Sequence, residues 1–283
     1  MSDQVHRFIF DGSDVRGVHI QIQQSYREML ENHHYPPAVA ALLWEFLVAA
    51  ALLSVTIKFR GSLILQVRGD GQVPLIMAEA NSNGDIRGIA RDAGQAIGED
   101  FHSLLGNGQL AITIDPEKGQ RYQGIVSLDG ANLGACIEAY FRQSEQLATR
   151  LWLSADGETA AGILLQELPE QQSDAAVWQH LTTLADTVQQ EELLTLSADR
   201  LLYRLYHQET VRVFEPKSLK FVCSCSQQRM ESALVSLGRE ELESILSEQG
   251  KIDSHCEFCH RQFHFDAGDI ANLFGDPAPN TRH

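Results

Sequence analysis

The amino-acid sequence predicts an α+β protein with a mixed sheet-and-helix core domain, a helical linker and a small, cysteine-rich C-terminal domain. Short apolar runs separated by turn dipeptides occupy the first half of the chain, which is typical of antiparallel strands. Helical periodicity replaces this pattern after Pro169, and four of the five cysteines lie beyond Pro216. We therefore place the core domain at residues 1–170, the linker at 171–216 and the C-terminal domain at 217–283.

Composition and charge narrow the class of protein. The 283 residues are 43% hydrophobic, which is enough for a packed core. The formal net charge is −16, from 22 Lys+Arg against 38 Asp+Glu, so no nucleic acid and no anionic membrane is expected as a partner. Residues 1–11 lack the basic and then apolar pattern of a signal peptide, so we expect a soluble, cytoplasmic protein.

The first predicted elements are a short strand, a helix and a long apolar helix. The strand covers Arg7 to Phe10, and helical periodicity covers Gln21 to Asn32. The pair Pro36-Pro37 then opens a helix from Ala38 to about Leu53, because proline suits the first helical turn. This apolar stretch contains Glu45, and we interpret it as a buried helix rather than a membrane span.

A run of strands follows, bounded by dipeptides such as Asp70-Gly71 and Asn83-Gly84 that favour tight hairpin turns. The predicted strands are Ser62–Val67, Pro74–Ala80, Asp85–Ala90, Leu110–Ile114 and Tyr122–Leu128. We predict that these strands form an antiparallel sheet with helices packed on it. A helix from Leu133 to about Arg150 and strands at Leu151–Ser154 and Ala161–Leu165 complete the core domain.

The polar segment Glu170 to Asp174 marks the boundary between the predicted core domain and the predicted linker, and two short helices follow it. One starts at the N-cap Ser173 and runs to about Gln189, and the other starts at the N-cap Ser197 and runs to about His207. Each has an apolar stripe: Val177, Leu181, Leu184 and Val188 in the first, and Leu201, Leu202 and Leu205 in the second. Helices this short are marginal in water, so we expect both to pack on another part of the protein.

The C-terminal cysteines form two pairs, Cys223-Ser224-Cys225 and Cys256-Glu257-Phe258-Cys259, with 30 residues between them. In an extended segment, residues i and i+2 point to the same side, so Cys223 and Cys225 could direct both sulfurs at one ion. A turn does the same for Cys256 and Cys259. Four thiolates suit a tetrahedral Zn²⁺ ion, so we predict one zinc per chain, bound by these four cysteines.

The segment between the pairs predicts two helices, from Gln227 to Leu237 and from Arg239 to Gln249, with Gly238 as the break and Gly250 as the C-cap residue. A domain of this size gains little stability from its core alone. Structural zinc contributes on the order of 10–16 kcal/mol in small zinc fingers, so we expect the C-terminal domain to unfold largely when zinc leaves.

The same thiolates can react with oxidants, since the thiolate is the nucleophilic form of cysteine. Oxidation would remove the zinc ligands, and the CxC and CxxC partners are close enough in the chain to form local disulfides. A tight CxC disulfide should be reducible again. The pattern therefore predicts a reversible redox switch.

Other interpretations of the cysteines remain open from the residues alone. The main one is a constitutive zinc-binding interaction module, in which oxidation leaves binding unchanged. Cys256 to His260 also match the C-x-x-C-H haem-attachment signature, although that leaves Cys223 and Cys225 unexplained. A thiol reductase or isomerase would place its CxxC in a βαβ context, which this segment lacks.

The remaining candidate residues receive simpler interpretations. We predict Cys136 to be a buried, inert thiol and the pair His33-His34 to lie in a solvated loop. The three histidines near the CxxC pair are interpreted as turn and strand residues: His255, His260 and His264. No phosphate-binding loop and no nucleophile-elbow motif occurs, so no catalytic residue and no nucleotide cofactor are predicted.

The cysteine pattern near the C-terminus resembles that of the Hsp33 family of redox-regulated chaperones. The resemblance extends over nearly the whole chain in four further segments: Asp14–Gly17, Tyr122–Val126, Tyr140–Leu147 and Ala161–Gln166. The chain departs from the family pattern at Ala148, where the family has proline.

The resemblance implies a mechanism. In the reduced form, the linker would lie over the N-terminal core and the zinc domain would steady it. Hypochlorous acid, or peroxide with heat, would form the disulfides Cys223–Cys225 and Cys256–Cys259, release zinc and destabilise the linker. The oxidised protein would form a homodimer and hold unfolded client proteins without ATP, so it is expected not to be an enzyme.

Overall fold

The computed structural model describes residues 3–30, 33–168 and 175–275. The chain divides into two compact units, the first ending at Val222 and the second beginning at Cys223. The predicted boundary segment Glu170–Asp174 and the predicted N-cap Ser173 lie outside the described residues. The division into core, linker and C-terminal domain therefore stays a prediction.

The elements of the first unit are numbered here in chain order. They are β1 (Gln4–Phe10), β2 (Val15–Ile22), α1 (Gln24–Leu30), α2 (Pro37–Ser54), β3 (Gly61–Gly69), β4 (Leu75–Asn81), β5 (Asp85–Arg91), α3 (Phe101–Leu105), β6 (Gly108–Pro116), β7 (Tyr122–Ser127), α4 (Leu133–Tyr140), β8 (Thr149–Ala155), β9 (Ala160–Glu167), α5 (Ala175–Ala185), α6 (Gln190–Thr195), α7 (Ala198–Tyr206), β10 (Val211–Val213), β11 (Lys217–Ser218) and β12 (Lys220–Phe221). The second unit contains α8 (Gln227–Leu237), α9 (Arg239–Gln249), β13 (Ile252–His255), β14 (Gln262–Phe265) and α10 (Ala267–Leu273).

The strands of the first unit form two sheets. The five strands predicted between Ser62 and Leu128 are neighbours in the second sheet and antiparallel to one another, as predicted. The first sheet has the order β10-β1-β2-β9-β8, with β11 also paired to β1, and the second has the order β12-β5-β4-β3-β6-β7. The turn dipeptides correctly mark strands that are neighbours in the chain. They carry no information on long-range pairs such as Gly17 with Leu165, which places β9 beside β2 in the first sheet.

Helix α2 contacts strands of both sheets and forms the centre of the first unit. Pro37 lies in its first turn, as predicted, and nearly every side chain from Val39 onward is buried. The ring of Trp44 stacks on Tyr26 with 4.2 Å between ring centroids. By length and composition α2 could span a membrane, but 78% of that span is buried inside the protein, which supports the prediction of a buried core helix.

The helix predicted over Gln21 to Asn32 is shorter than expected. Strand β2 continues to Ile22, and α1 begins only at Gln24. The carboxylate of Asp3 accepts hydrogen bonds from the backbone N–H groups of Gln23, Gln24 and Ser25 at 2.6–2.9 Å. This cap fixes the start of the helix, and it comes from a residue about 20 positions away.

The helix predicted from Leu133 to Arg150 also ends early. Helix α4 stops at Tyr140, one π-helical turn covers Phe141–Glu145, and Gln146 adopts a left-handed backbone with φ of 54°. Beyond it, Thr149 and Arg150 pair with Gln166 and Leu165 of β9. Strand pairing therefore overrides the helical periodicity of this segment.

Three helices, not two, pack on the first sheet in the region of the predicted linker. The unpredicted one is α6, whose start is fixed by a reciprocal capping arrangement between Gln189 and Glu192. We call the apolar residues shared by these helices and the sheet the linker cluster. Its buried members are Phe8, Phe10, Val15, Ala161, Ile163 and Leu165 from the strands, and Leu181, Ala185, Leu193, Leu194, Leu201, Leu202, Leu205 and Tyr206 from the helices.

Hydrogen bonds also fix how helices α5 and α6 are oriented on the first sheet. The carboxylate of Asp186, just after α5, accepts hydrogen bonds from Trp152 Nε1 at 3.0 Å and Arg150 Nη2 at 2.8 Å. The amide of Gln21 on β2 donates to the carbonyl oxygen of Leu194 on α6. The expectation that the short helices pack on another part of the protein is therefore confirmed by the structure.

We predict that Leu201→Ala loosens the linker helices from the first sheet. Leu201 is fully buried in the linker cluster, and removing such a side chain costs about 2–5 kcal/mol. Amides of residues 175–206 should exchange with solvent faster in the variant. Tyr203→Ala is the matched control, because Tyr203 lies on the same helix and is 73% exposed. Equal exchange in the Leu201 variant and the wild type would contradict the role of the cluster.

Glu45 is the charged residue of the apolar helix α2, and it faces a cavity of about 280 Å³. Leu151 and Trp152 of β8 and Leu193 of α6 also line this cavity. Within the described parts of the chain, no other ionisable side chain lines it. Burial raises the pKa of Glu45 from 4.5 to about 7.

This raised pKa predicts a specific pH dependence of stability. Between about pH 4.5 and 7 the folded protein holds a proton on Glu45 that the unfolded chain has lost, so stability falls as pH rises through that window. In Glu45→Gln, the decrease in the free energy of unfolding between pH 5 and 7.5 should be smaller than in the wild type by about 1–3 kcal/mol. Chemical denaturation at both pH values measures this difference, with the exposed Glu99→Gln as control. If the free energy of unfolding of the Glu45 variant depended on pH as strongly as that of the wild type, this prediction would be contradicted.

Candidate metal centre

The second cysteine pair lies at the tip of the β13–β14 hairpin. The strands pair from Ile252 with Phe265 to His255 with Gln262. At the tip, the N–H of Cys256 donates to the carbonyl oxygen of Arg261 at 3.0 Å, and the N–H of His260 donates to that of Cys256 at 2.8 Å. These two bonds fold the CxxC segment into a tight turn, and the sulfurs of Cys256 and Cys259 lie within 4.8 Å of each other.

The first cysteine pair leads directly into helix α8. Ser226 is the N-cap, and its hydroxyl accepts from the backbone N–H of Arg229 at 3.3 Å. Cys225 therefore lies directly before the N-cap of helix α8. The guanidinium of Arg229 also donates to Ser224 Oγ between the two cysteines. The sequence analysis did not identify Arg229. The one feature of the sequence that points to it is its position three residues after the N-cap Ser226.

The structure brings together the four predicted ligands. The sulfur atoms of Cys223, Cys225, Cys256 and Cys259 all lie within 4.8 Å of one another. Distances of 3.5 Å join the sulfur of Cys223 to that of Cys256 and the sulfur of Cys225 to that of Cys259. A tetrahedral zinc with Zn–S bonds of about 2.3 Å would place its sulfurs about 3.8 Å apart. The four cysteines could thus hold one metal ion.

The electrostatics of the cluster favour a bound cation. The pKa of Cys225 is raised first by burial, then by hydrogen bonds with the Cys259 and Cys223 thiols, and then by the charges of Cys223 and Cys256. Four neighbouring thiolates repel each other, so they cannot all ionise without a compensating charge. A divalent, thiophilic metal supplies that charge, and the donor set fits such a metal.

The core of the second unit is small and includes one of the cysteines. Its buried residues are Leu234, Leu242, Ile252, Cys256, Phe263, Phe265 and Ile270. The other three cysteines pack against this core and are partly exposed. The predicted helices on either side of Gly238 are present as α8 and α9, and Gly250 ends α9 with a left-handed backbone.

The other candidate residues are not members of the sulfur cluster. His255 is in β13, His264 is in β14 beside Asp253, and His260 is in the turn, as predicted. Cys136 is fully buried on α4, and burial raises the pKa of its thiol, which fits an inert residue. The prediction for His33 was wrong: it is buried and stacks on Tyr35 at 5.0 Å, whereas His34 is exposed.

Comparisons with known proteins identify relatives over the whole chain. A family model described as "Hsp33 protein" matches residues 3–266. A protein named 33 kDa chaperonin from Pseudomonas aeruginosa is 51% identical over 294 aligned positions, covering 100% of this chain and 99% of the relative. A 33 kDa chaperonin from Shewanella woodyi is 46% identical and covers 99% of both chains.

The fold is also similar to a solved structure. The crystal structure of a 33 kDa chaperonin (heat shock protein 33 homolog) from Thermotoga maritima aligns with a TM-score of 0.83. The alignment covers 95% of this chain and 97% of that chain at 20% identity, so it shows a shared fold.

We predict that Cys225→Ser lowers metal binding and unfolds the second unit. A serine hydroxyl is a poor ligand for a soft metal, and the small core depends on the ion. Metal content per chain should fall, and amides of residues 223–275 should lose protection from exchange. Cys136→Ser is the matched control and should bind metal like the wild type. Full metal content and unchanged protection in the Cys225 variant would contradict the assignment of Cys225 as a metal ligand.

Proposed function

The chain belongs to the Hsp33 family of chaperones, and from that premise we propose that it is a redox-regulated holdase that acts without ATP. The single observation that carries the regulatory part is the cluster of four cysteine sulfurs within 4.8 Å of one another in the second unit. Thiols of this kind bind metal when reduced and form disulfides when oxidised.

We infer that the ion is Zn²⁺, one per chain, held by Cys223, Cys225, Cys256 and Cys259 in the reduced form. Zinc suits four thiolate ligands and adds folding free energy without redox chemistry of its own. Because Cys256 belongs to the small core of the second unit, loss of the ligands would remove both the metal and part of the packing.

Oxidation by a peroxide proceeds in two steps at each pair. A thiolate attacks the peroxide oxygen, the O–O bond breaks, and a sulfenic acid and water form once a proton is taken up. The partner thiol then attacks that sulfur, a disulfide forms and a second water leaves. We propose the pairs Cys223–Cys225 and Cys256–Cys259. Each closes a very short loop, so its partners stay near each other after the second unit unfolds, whereas the two 3.5 Å cross-pairs would separate.

The client-binding surface is proposed to be the linker cluster. Helices α5, α6 and α7 have 11, 6 and 9 residues, so none is stable alone in water. Undocking them would expose Phe8, Phe10 and Ile163 on the sheet together with the apolar faces of the helices. An apolar surface of that kind binds unfolded proteins, which expose similar surfaces themselves.

The remaining properties follow from the family and from charge. The proposed partners are unfolded or aggregating proteins and, in the oxidised form, a second copy of the chain. A net charge of −16 opposes nucleic acid and anionic membranes as partners. We propose a cytoplasmic protein that binds clients and catalyses no reaction.

The alternative is a constitutive zinc-binding interaction module, which the placement of Cys256 inside a packed core favours. In that case zinc has only a structural role, and oxidation does not switch client binding on.

We predict that oxidation of the reduced, zinc-loaded full chain releases one zinc per chain and turns on suppression of client aggregation. The measurement follows zinc with a chelating dye and aggregation of a denatured client by light scattering, before and after peroxide at elevated temperature. Cys136→Ser should switch like the wild type, which assigns the response to the four clustered cysteines.

Two outcomes separate the proposals. Zinc release with a gain of holdase activity supports the redox switch. Zinc retention, or release without a gain, rejects the switch and leaves the structural zinc module.

A further inference from the structure

The face of the first sheet beneath the linker helices is apolar at one end and polar at the other. Phe8 and Phe10 contact Tyr206 at the apolar end. Gln4, His6, His19 and Gln21 line a cavity of about 360 Å³ at the polar end, and residues 197–199 at the start of α7 close it. All of these residues belong to the first unit, so the cavity is separate from the cysteine cluster.

His19 is the unusual residue of this cavity. Its side chain is 1% exposed, and neither ring nitrogen has a hydrogen-bond partner within the described part of the protein. A buried polar group without a partner destabilises the folded state. Burial and the nearby His6 lower the pKa of His19 to about 3, so the imidazole stays neutral and keeps a lone pair free. A neutral imidazole is the form that binds metals.

A second histidine lies directly opposite. His6 on β1 and His19 on β2 are paired across the antiparallel strands, so both side chains project from the same face. Their ring centroids are 6.2 Å apart and the ring planes are tilted by 43°. Two imidazoles bound to one ion at Zn–N distances of about 2.0–2.1 Å have centroids about 5–6 Å apart, so a small rotation of His6, which is only half-buried, brings the pair into range.

The linker offers a candidate third ligand. Asp199 lies in the first turn of α7 and lines the cavity, and its charge acts on His6 by raising that pKa against the larger effect of burial. A carboxylate with two imidazoles is a ligand set that suits zinc and similar divalent metals. The side-chain oxygens of Gln4 and Gln21 are additional donors in the same cavity.

We propose that His6, His19 and Asp199 form a second divalent-metal site, which joins the first sheet to the start of helix α7. A bound ion would give His19 the partner that it lacks. Since two ligands come from the sheet and one from the linker, the ion would hold α7 against the sheet. This inference does not depend on the proposed holdase activity.

The test uses untagged, reduced full-length protein already loaded with one zinc per chain. Further Zn²⁺ is added in a calorimeter, and a second equivalent should bind. His19→Gln and His6→Gln should each lose the second equivalent and keep the first. Asp199→Asn should weaken the second site by at least about tenfold, as changes around metal ligands commonly do. The exposed His34→Gln is the matched control and should bind both ions.

Hydrogen exchange supplies an independent readout that a merely structural role of these residues would not give. The second equivalent of zinc should slow exchange of amides in residues 198–206 of the wild type, and this protection should be absent in Asp199→Asn. Absence of a second equivalent in the wild type overturns the proposal. So does a second equivalent that persists in both histidine variants, because the ion would then bind elsewhere on the surface.

Discussion

The first sheet has two apolar faces, and both must be covered for the first unit to be stable. Val18 and Ile20 point from β2 towards the core around helix α2, while Val15 on the same strand points into the linker cluster. Helix α2 is long, buried along most of its length and in contact with both sheets. The face of the first sheet that packs on α2 is therefore covered by a stable element. The opposite face is covered by three short helices, and their stability depends on staying there. The two faces therefore differ in how easily they can be uncovered.

The second unit combines stability and reactivity in the same atoms. Its apolar core is small, Cys256 belongs to it, and four thiols lie within 4.8 Å of one another. Burial, and then the neighbouring thiols, raise the pKa of Cys225, so the cluster favours a bound cation or a covalent change over four free thiolates. If these sulfurs hold an ion, the packing of this unit would depend on ligands that oxidants can attack.

Local signals in the sequence predicted the parts of the structure that local interactions determine. They include helix α2 after its proline pair, the hairpins at glycine turns, helices α8 and α9 around Gly238, and the four cysteines. Features that depend on distant residues were missed. Asp3 caps α1 from about 20 residues away, and β9 joins β2 through pairs such as Gly17 with Leu165. The His6–His19 pair appears only once the strand register is known.

The segment between the linker helices and the cysteines is attached to the first unit by three very short strand pairings. Strand β12 pairs two residues with β5, β11 pairs two with β1, and β10 pairs three with β1. Each pairing contains few hydrogen bonds, and Leu219, which lies between β11 and β12, is buried in the core around helix α2. Chain connectivity fixes the order of the pairings from Cys223 back to Tyr206. A force applied to the chain at the cysteine end would therefore break the β12 pairing first, then the β11 and β10 pairings, before it reached helix α7.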